Sequence, residues 1–334
     1  MNWRRLARIA LAVPVVLATA WGALALWFQL TPAPALLLGA AWCLPGLGAA
    51  WTLTRPPGTG HERKLLLAAG LAGLSMLGWW QSLTPSHERP WADDVARLLE
   101  STVDGDRLEL RNVRAFEWRT ETVYTPRWET RRYDLAKLES ADLVLSYWMG
   151  PHIAHTLVSF GFSDGQRLVF SLEIRKEQNE QFSAIGGFFR KFEQVIVAAD
   201  ERDLIRTRSN ARGEQVYLYR LRATPAQLRS VLLDYLGRAE ALRNRPEFYN
   251  TLTSNCTTIL FELARHIDPT LPLDYRLLAS GHFAEYAYDH GALTPGLPYA
   301  VLRERGHINA RARKADLDAH DYSHAIRAGM PGIE

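Results

Sequence analysis

Three long uncharged runs open the chain, and they limit its possible folds more than any other feature of the sequence. No charged residue occurs from Ile9 to Leu30, from Ala33 to Thr54 or from Leu65 to Leu83. Each run is close to the roughly 20 apolar residues that a helix needs to cross a bilayer. Proline and glycine favour loops where the runs are interrupted, at Thr31–Pro34 and Arg55–Gly60. The sequence therefore predicts a transmembrane region over residues 1–84, with helices at about 9–30, 33–54 and 65–83.

The positive charges predict how this region is oriented. Three basic residues precede the first run and three lie in the second connection, whereas the first connection has none: Arg4, Arg5 and Arg8, then Arg55, Arg63 and Lys64. Positive residues favour the cytoplasmic side of the cytoplasmic (inner) membrane, so the third helix is expected to exit outward. Residues 90–334 would then form a domain outside that membrane, in the periplasm if the cell has two membranes.

A cleaved signal peptide is the competing interpretation of the first run. Ala18, Thr19 and Ala20 resemble a small-residue cleavage site after a basic start. The apolar run continues past this site to Leu30, which favours a membrane helix. In either case the second and third helices leave the large domain outside.

Charge and histidine usage exclude several functions. The net charge is only +3, and the arginines are spread along the chain, so no nucleic-acid partner is expected. His152 and His155 lie three residues apart, and His320 and His324 could share a helix face, but no further ligands accompany either pair. We therefore expect no metal and no cofactor, while the oligomeric state stays open.

The two cysteines point to one candidate nucleophile. Cys43 lies inside the second membrane run, so it cannot form a disulfide with Cys256 in the external domain. Ser254 or Asn255 can cap a helix, which places Cys256 in its first turn. The partial positive charge at that end favours thiolate over thiol.

A β-hairpin is predicted upstream of this cysteine. Two segments rich in β-branched and aromatic residues, 153–162 and 166–175, flank Ser163-Asp164-Gly165. A three-residue loop ending in glycine pairs Phe162 with Gln166 and sets His155 opposite Glu173. This register gathers the apolar residues on one face, whereas a two-residue turn would mix polar and apolar residues on both faces.

The remaining elements are predicted from periodicity and capping signals. A short amphipathic helix is expected at 91–100, extended chain around 106–118, and a charged aromatic loop through Tyr133. Strands are expected at 194–199, 204–208 and 215–221. A capping-box pattern predicts that a helix begins at Thr224. Apolar residues at helical spacing over 252–267 predict a second helix, in which Cys256 faces the sheet that carries His155.

These residue types suit nucleophilic catalysis. An imidazole can take the thiol proton, a carboxylate can hold the ring, and the thiolate can attack an acyl carbon. We therefore predict Cys256 as nucleophile, His155 as base and Glu173 as orienting residue, with Asn255 and Ser254 supporting the oxyanion. The cysteine also has a simpler interpretation, because a cysteine on the apolar face of a helix is often only a small core residue.

The motifs also carry a family resemblance. The stretches Ala154–Phe162, Ser171–Arg175 and Tyr249–Thr258 resemble the Lnb-type N-terminal periplasmic domain family, and the resemblance extends from about Trp91 to Arg327. That family is similar to circularly permuted papain-like proteins, such as lecithin retinol acyltransferase and the NlpC-type hydrolases. The fold that the resemblance implies is α+β, a permuted papain-like (NlpC-like) domain with a central antiparallel sheet. The bundle of three transmembrane helices that precedes it here is predicted from the uncharged runs and departs from the family pattern, in which a membrane part can follow the domain.

The resemblance implies acyl chemistry at a membrane. Named members of the family transfer a fatty acyl chain to the N-terminus of bacterial lipoproteins through a cysteine intermediate. We therefore expect a membrane-anchored, cysteine-dependent acyltransferase or thiol hydrolase that acts on a lipid or lipoprotein. The alternatives are a cell-wall peptidase or amidase on the same scaffold, which needs a polar cleft, and a non-catalytic domain that binds an envelope partner.

Overall fold

A computed structural model describes residues 3–56, 60–317 and 321–333. Residues 57–59 of the predicted second loop and His320 of the second histidine pair lie outside these ranges. Contacts divide the chain into two units. The helical unit comprises Met1–Ser86 and Ser183–Lys191, and the sheet unit comprises His87–Phe182 and Phe192–Glu334.

The helical unit contains three helices, each long and apolar enough to cross a membrane. They are α1 (Trp3–Gln29), α2 (Pro32–Leu53) and α3 (Gly60–Ser82). Glycine lets α1 and α2 approach closely, since a β-carbon on Gly46 would collide with the Thr19 side chain. Arg8 Nη2 forms an ion pair with Glu62 Oε1 at 2.6 Å, so the N-terminal ends of α1 and α3 lie next to each other.

The sheet unit is built on a mixed sheet, which has eight strands in the part of the chain that the structure describes. The strands of the unit are β1 (Glu100–Asp104), β2 (Arg107–Arg114), β3 (Glu117–Trp118), β4 (Tyr124–Thr125), β5 (Trp128–Asp134), β6 (Leu138–Tyr147), β7 (Ala154–Phe162), β8 (Arg167–Arg175), β9 (Glu193–Ala199) and β10 (Gln215–Arg220). The order in the mixed sheet is β1-β2-β9-β8-β7-β6-β10, with β5 also paired to β2, and β3 and β4 form a separate two-stranded sheet. The α+β prediction is confirmed. The sheet is antiparallel as predicted except for β2 and β9, which meet in parallel at Arg114 and Ala199.

Helices cover both faces of this sheet. They are α4 (Glu201–Arg206), α5 (Pro225–Asn244), α6 (Cys256–Ile267), α7 (Phe283–Asp289), α8 (Tyr299–Gly306), α9 (Asn309–Leu317) and α10 (Tyr322–Ala325). One core contains Phe160 and Phe170 from the sheet together with the buried stripes of α5 and α6. A second core contains Leu157 and Val169 with residues of α4, α9 and α10.

The predicted hairpin register is confirmed. Leu157 pairs with Ser171 and Gly161 with Arg167, so the same register continued sets His155 opposite Glu173. Phe162 donates its backbone N–H to the carbonyl of Gln166 at 3.1 Å. Gly165 takes a φ of +85°, the left-handed conformation that the three-residue loop requires.

Other local predictions were wrong for identifiable reasons. The expected helix at 91–100 is only a 3-10 turn at Asp93–Val95, and Glu100 already begins β1. The charged loop through Tyr133 contains β5. The expected strand at 204–208 is α4 followed by a π-helical turn at Thr207–Ala211, because Asp200 caps a helix by accepting from the N–H of Arg202.

Candidate active site

Cys256 is the first residue of α6, as the capping signal predicted. Asn255 is the N-cap, and its Oδ1 accepts from the backbone N–H groups of Thr257 and Thr258, both at 2.9 Å. Its Nδ2 donates to the carbonyl of Thr251 at 2.8 Å. Ser254 instead forms a backbone bridge with Asn250. The side chain of Asn255 therefore serves the helix, and the oxyanion role predicted for it and for Ser254 stays a prediction.

His155 and Glu173 meet across β7 and β8. His155 Nε2 lies 3.2 Å from Glu173 Oε1 and 2.7 Å from Ser171 Oγ. Ser171 Oγ also donates to Glu173 Oε1 at 2.7 Å. An N–H at Nε2 is therefore held by the carboxylate, and Nδ1 is the ring atom left for another partner. The proximity predicted from the hairpin register is confirmed.

The thiol of Cys256 interacts with the His155 ring. Burial is the largest single influence and raises the pKa of Cys256. The charge of His155 and a hydrogen bond to His155 act in the opposite direction and together outweigh burial, so the pKa of Cys256 is lowered to about 7. Burial and the charge of Arg208 lower the pKa of His155, but Glu173 and Cys256 raise it to about 9. A thiolate beside an imidazolium is therefore well populated at neutral pH.

Arg208 is a second partner of Glu173 that the sequence did not predict. Its Nη2 donates to Glu173 Oε1 at 3.0 Å, and its Nη1 donates to Glu214 Oε2 at 3.3 Å. Burial raises the pKa of Glu173, but His155 and Arg208 lower it well below its usual range. Arg208 lies on the π-helical turn Thr207–Ala211, a distortion that is common at functional sites. In the sequence Arg208 is an arginine at the end of the segment 204–208, and nothing in that pattern predicts a contact with Glu173.

Cys256 and Tyr249 each supply a further hydrogen-bond donor in the chain segment around the candidate nucleophile. The backbone N–H of Cys256 has no acceptor among residues 3–56, 60–317 and 321–333. Tyr249 has its pKa raised, first by burial and then by the charges of Cys256 and Glu173, so its hydroxyl keeps its proton. Tyr249 falls in the segment that carries the family resemblance, but its residue type alone predicted no role.

Apolar side chains are exposed in the loops at this end of the sheet. The site lies where β6 ends and β7 begins, and Trp148 and Met149 in the connecting loop are exposed. Phe182, in the chain that follows β8, packs edge-on against Trp148 with ring centroids 5.0 Å apart. Leu252, just before the Cys256 helix, is exposed as well, although the predicted stripe placed it in the core. We call Trp148, Met149, Phe182 and Leu252 the apolar rim.

Comparison with known proteins agrees with the sequence resemblance. No curated protein and no solved structure matches the chain. Residues 124–281 match a family described as the Lnb N-terminal periplasmic domain, over a narrower range than the resemblance suggested. This range contains Cys256, His155 and Glu173. Residues 124–281 are therefore similar to the Lnb N-terminal periplasmic domain, and three helices that are long and apolar enough to cross a membrane precede them in the chain.

Proposed function

We propose that the protein is a membrane-anchored periplasmic cysteine enzyme that transfers or hydrolyses an acyl group of a lipid or lipoprotein. The observation that carries this proposal is the effect of His155 on Cys256 at the start of α6, where the ring lowers the pKa of the thiol while Glu173 holds the ring at Nε2. Burial alone makes a thiol less acidic, whereas this thiol has a lowered pKa. Such activation serves a nucleophile and gives a packing residue no advantage.

These groups can carry out the proposed reaction in two steps. The Cys256 thiolate attacks the carbonyl carbon of an acyl ester, so that a C–S bond forms as the C–O bond breaks. The His155 imidazolium gives its proton to the departing oxygen. An amine or water then attacks the thioester, His155 takes up the proton released, and the thiolate is restored. The Cys256 N–H and the Tyr249 hydroxyl are the groups available to stabilise the negative oxygen.

A lipid acyl group suits the surroundings of the site better than a wall peptide. The apolar rim exposes one tryptophan, one methionine, one phenylalanine and one leucine beside the catalytic strands. An acyl chain gains free energy by covering such side chains, whereas a peptide of the cell wall requires polar and charged contacts. The three apolar helices keep the same chain at a source of lipid.

The proposal is tested by looking for the acyl-enzyme. Full-length protein is reconstituted with phosphatidylethanolamine vesicles, and the peptide that contains Cys256 is analysed by mass spectrometry. We expect a hydroxylamine-sensitive acyl group on Cys256. The Cys43→Ala variant should retain this adduct, since it lacks only the other cysteine, while Cys256→Ala should lose it.

Two results would contradict this function. An adduct that forms equally well in a His155→Ala variant would mean that the thiol is not activated by the ring. Absence of any lipid adduct, together with cleavage of cell-wall peptide, would assign the site to the peptidase or amidase class instead.

A further inference from the structure

The segment Ser183–Lys191 connects β8 to β9 but packs within the helical unit. Phe189 stacks on Phe28 with ring centroids 5.4 Å apart and lies 6.5 Å from the ring of Trp21. Gln29, the last residue of α1, donates from Nε2 to the carbonyl of Phe189 at 2.7 Å. The segment is therefore held against the last two turns of α1.

Arg190 holds the same segment against the end of α3. Its Nη1 donates to the carbonyl of Trp80 at 2.6 Å, and its guanidinium lies 4.6 Å from the centre of the Trp80 ring. The last carbonyls of a helix have no N–H partner within the helix, and a cation there is favoured by the helix dipole. Arg190 also has a φ of +54°, which residues other than glycine rarely adopt. Several fixed contacts are needed to maintain such a conformation.

These contacts place the segment at one level of the predicted bilayer. α1 and α3 start together at the Arg8–Glu62 ion pair, so both helices end on the opposite, outer side. Trp21 packs edge-on against Trp80, with ring centroids 4.9 Å apart. Tryptophan side chains are enriched at the boundary between lipid tails and water. Ser183–Lys191 therefore lies at the outer boundary of the membrane.

Two large apolar side chains project from this segment. Ile185 is 57% exposed and Phe188 is 39% exposed. Scattered exposed apolar residues are normal on a soluble surface, but these two share a short segment fixed at the level of the lipid. We propose that Ser183–Lys191 is a second membrane-binding element, in which Ile185 and Phe188 contact outer-leaflet phospholipids just below the headgroups.

The chain itself connects this element to the sheet unit. The chain enters the helical unit at Ser183 and returns to the sheet unit at Phe192. β8, which carries Glu173, ends at Arg175, and residues 176–182 join it to the proposed membrane-binding segment. The inference depends only on the helical unit, so it can fail without affecting the proposed chemistry at Cys256.

Fluorescence in vesicles tests the inference. Full-length protein with Cys43→Ala and Cys256→Ala receives Ile185→Cys or Phe188→Cys, is labelled with the environment-sensitive dye NBD, and is reconstituted in phosphatidylethanolamine–phosphatidylglycerol vesicles. We expect emission at shorter wavelength than in water, and stronger quenching by a nitroxide near the top of the acyl chain than by one near its end. Leu74→Cys, exposed on α3, is the matched control and should show the reverse preference.

Emission typical of water, with no quenching by either lipid, would overturn the inference. Short-wavelength emission without quenching would also overturn it, because the side chains would then be covered by protein. Addition of Arg190→Gln should weaken the quenching of the Phe188 probe, since the contact with α3 is lost. Unchanged quenching would exclude Arg190 as the residue that holds the segment.

Discussion

Two of the clusters of buried charge in the sheet unit differ in what they can do. In the first, which we call the site cluster, Glu173 accepts from His155 and Arg208, and the charge of His155 lowers the pKa of Cys256. The second, the closed cluster, joins β6, α4 and the C-terminal segment. Its Arg327 donates from Nε to Asp142 at 2.8 Å and from Nη1 to Glu201 at 2.8 Å, and Arg220 donates to Asp142 at 2.6 Å.

The difference shows that buried charge alone does not make an active site. The side chains of Arg327, Asp142 and Glu201 are at most 2% exposed, and the charges offset one another. Burial raises the pKa of Glu201, but Arg327 lowers it to about 2, so this carboxyl does not titrate near neutral pH. The site cluster instead remains partly accessible, with the His155 side chain 14% exposed, and it contains two groups that titrate between about 7 and 9.

Removal of the nucleophile should give the largest effect and separate the two clusters most clearly. Cys256→Ala should lower the rate of acyl transfer at least about 10⁴-fold, because no other group can form the covalent intermediate. Thermal unfolding in detergent should change little, since the change in side-chain volume is small. If Cys256→Ala kept a substantial rate of acyl transfer, the site cluster would not be distinguished from the closed cluster by catalysis.

Loss of the base should give the next largest effect. His155→Ala should reduce the rate roughly 10²–10⁴-fold, the usual contribution of a positioned acid and base. His152→Ala is the matched control, because His152 lies in the loop just before β7 and pairs with His282. The control should keep the rate of the wild-type protein. Equal losses in the two variants would indicate a general effect of the loop.

The closed cluster should respond through stability. Arg327→Met leaves Asp142 and Glu201 buried without their shared partner, which should lower the free energy of unfolding by about 3–5 kcal/mol. Arg132→Met, at a side chain 81% exposed, should change it by less than about 0.5 kcal/mol. The measurement is chemical unfolding of the full-length protein in detergent. A loss below about 1 kcal/mol for Arg327→Met would show that the cluster is not required for stability.

The pH dependence of stability should be the smallest of these effects. The folded pKa of Glu201, about 2, lies below the unfolded value of about 4.3, so its contribution is complete above pH 4.3 and is lost as pH falls toward 2. The corresponding loss is about 3 kcal/mol, and it should be missing from Glu201→Gln. Unfolding free energies that run parallel in the two proteins from pH 6 to pH 2 would contradict this assignment.

The parts of the site that were predictable depend on short-range sequence signals. Ser163-Asp164-Gly165 fixes the hairpin register through one left-handed glycine, and this register alone brings His155 to Glu173. The cap before Cys256 likewise acts over three residues. Such signals lie within a few positions of the structure they determine, so a single sequence contains them.

The parts that were missed depend on contacts between distant residues. Strand β6 was not predicted, because Asp142 at its centre is a charged residue that becomes tolerable only beside Arg220 and Arg327. Arg208 reaches Glu173 only through a π-helical turn where the residue types favoured a strand. Local propensity cannot anticipate either pairing.

The rate of Cys256 alkylation by iodoacetamide as a function of pH tests the central claim most directly. It is measured on full-length Cys43→Ala protein, with and without His155→Ala. The account predicts a half-maximal rate at a pH of about 7 with His155 present. Without the ring, burial should move the midpoint above the ordinary thiol value of about 8.5. The same midpoint in both proteins would contradict the activation of Cys256 by His155.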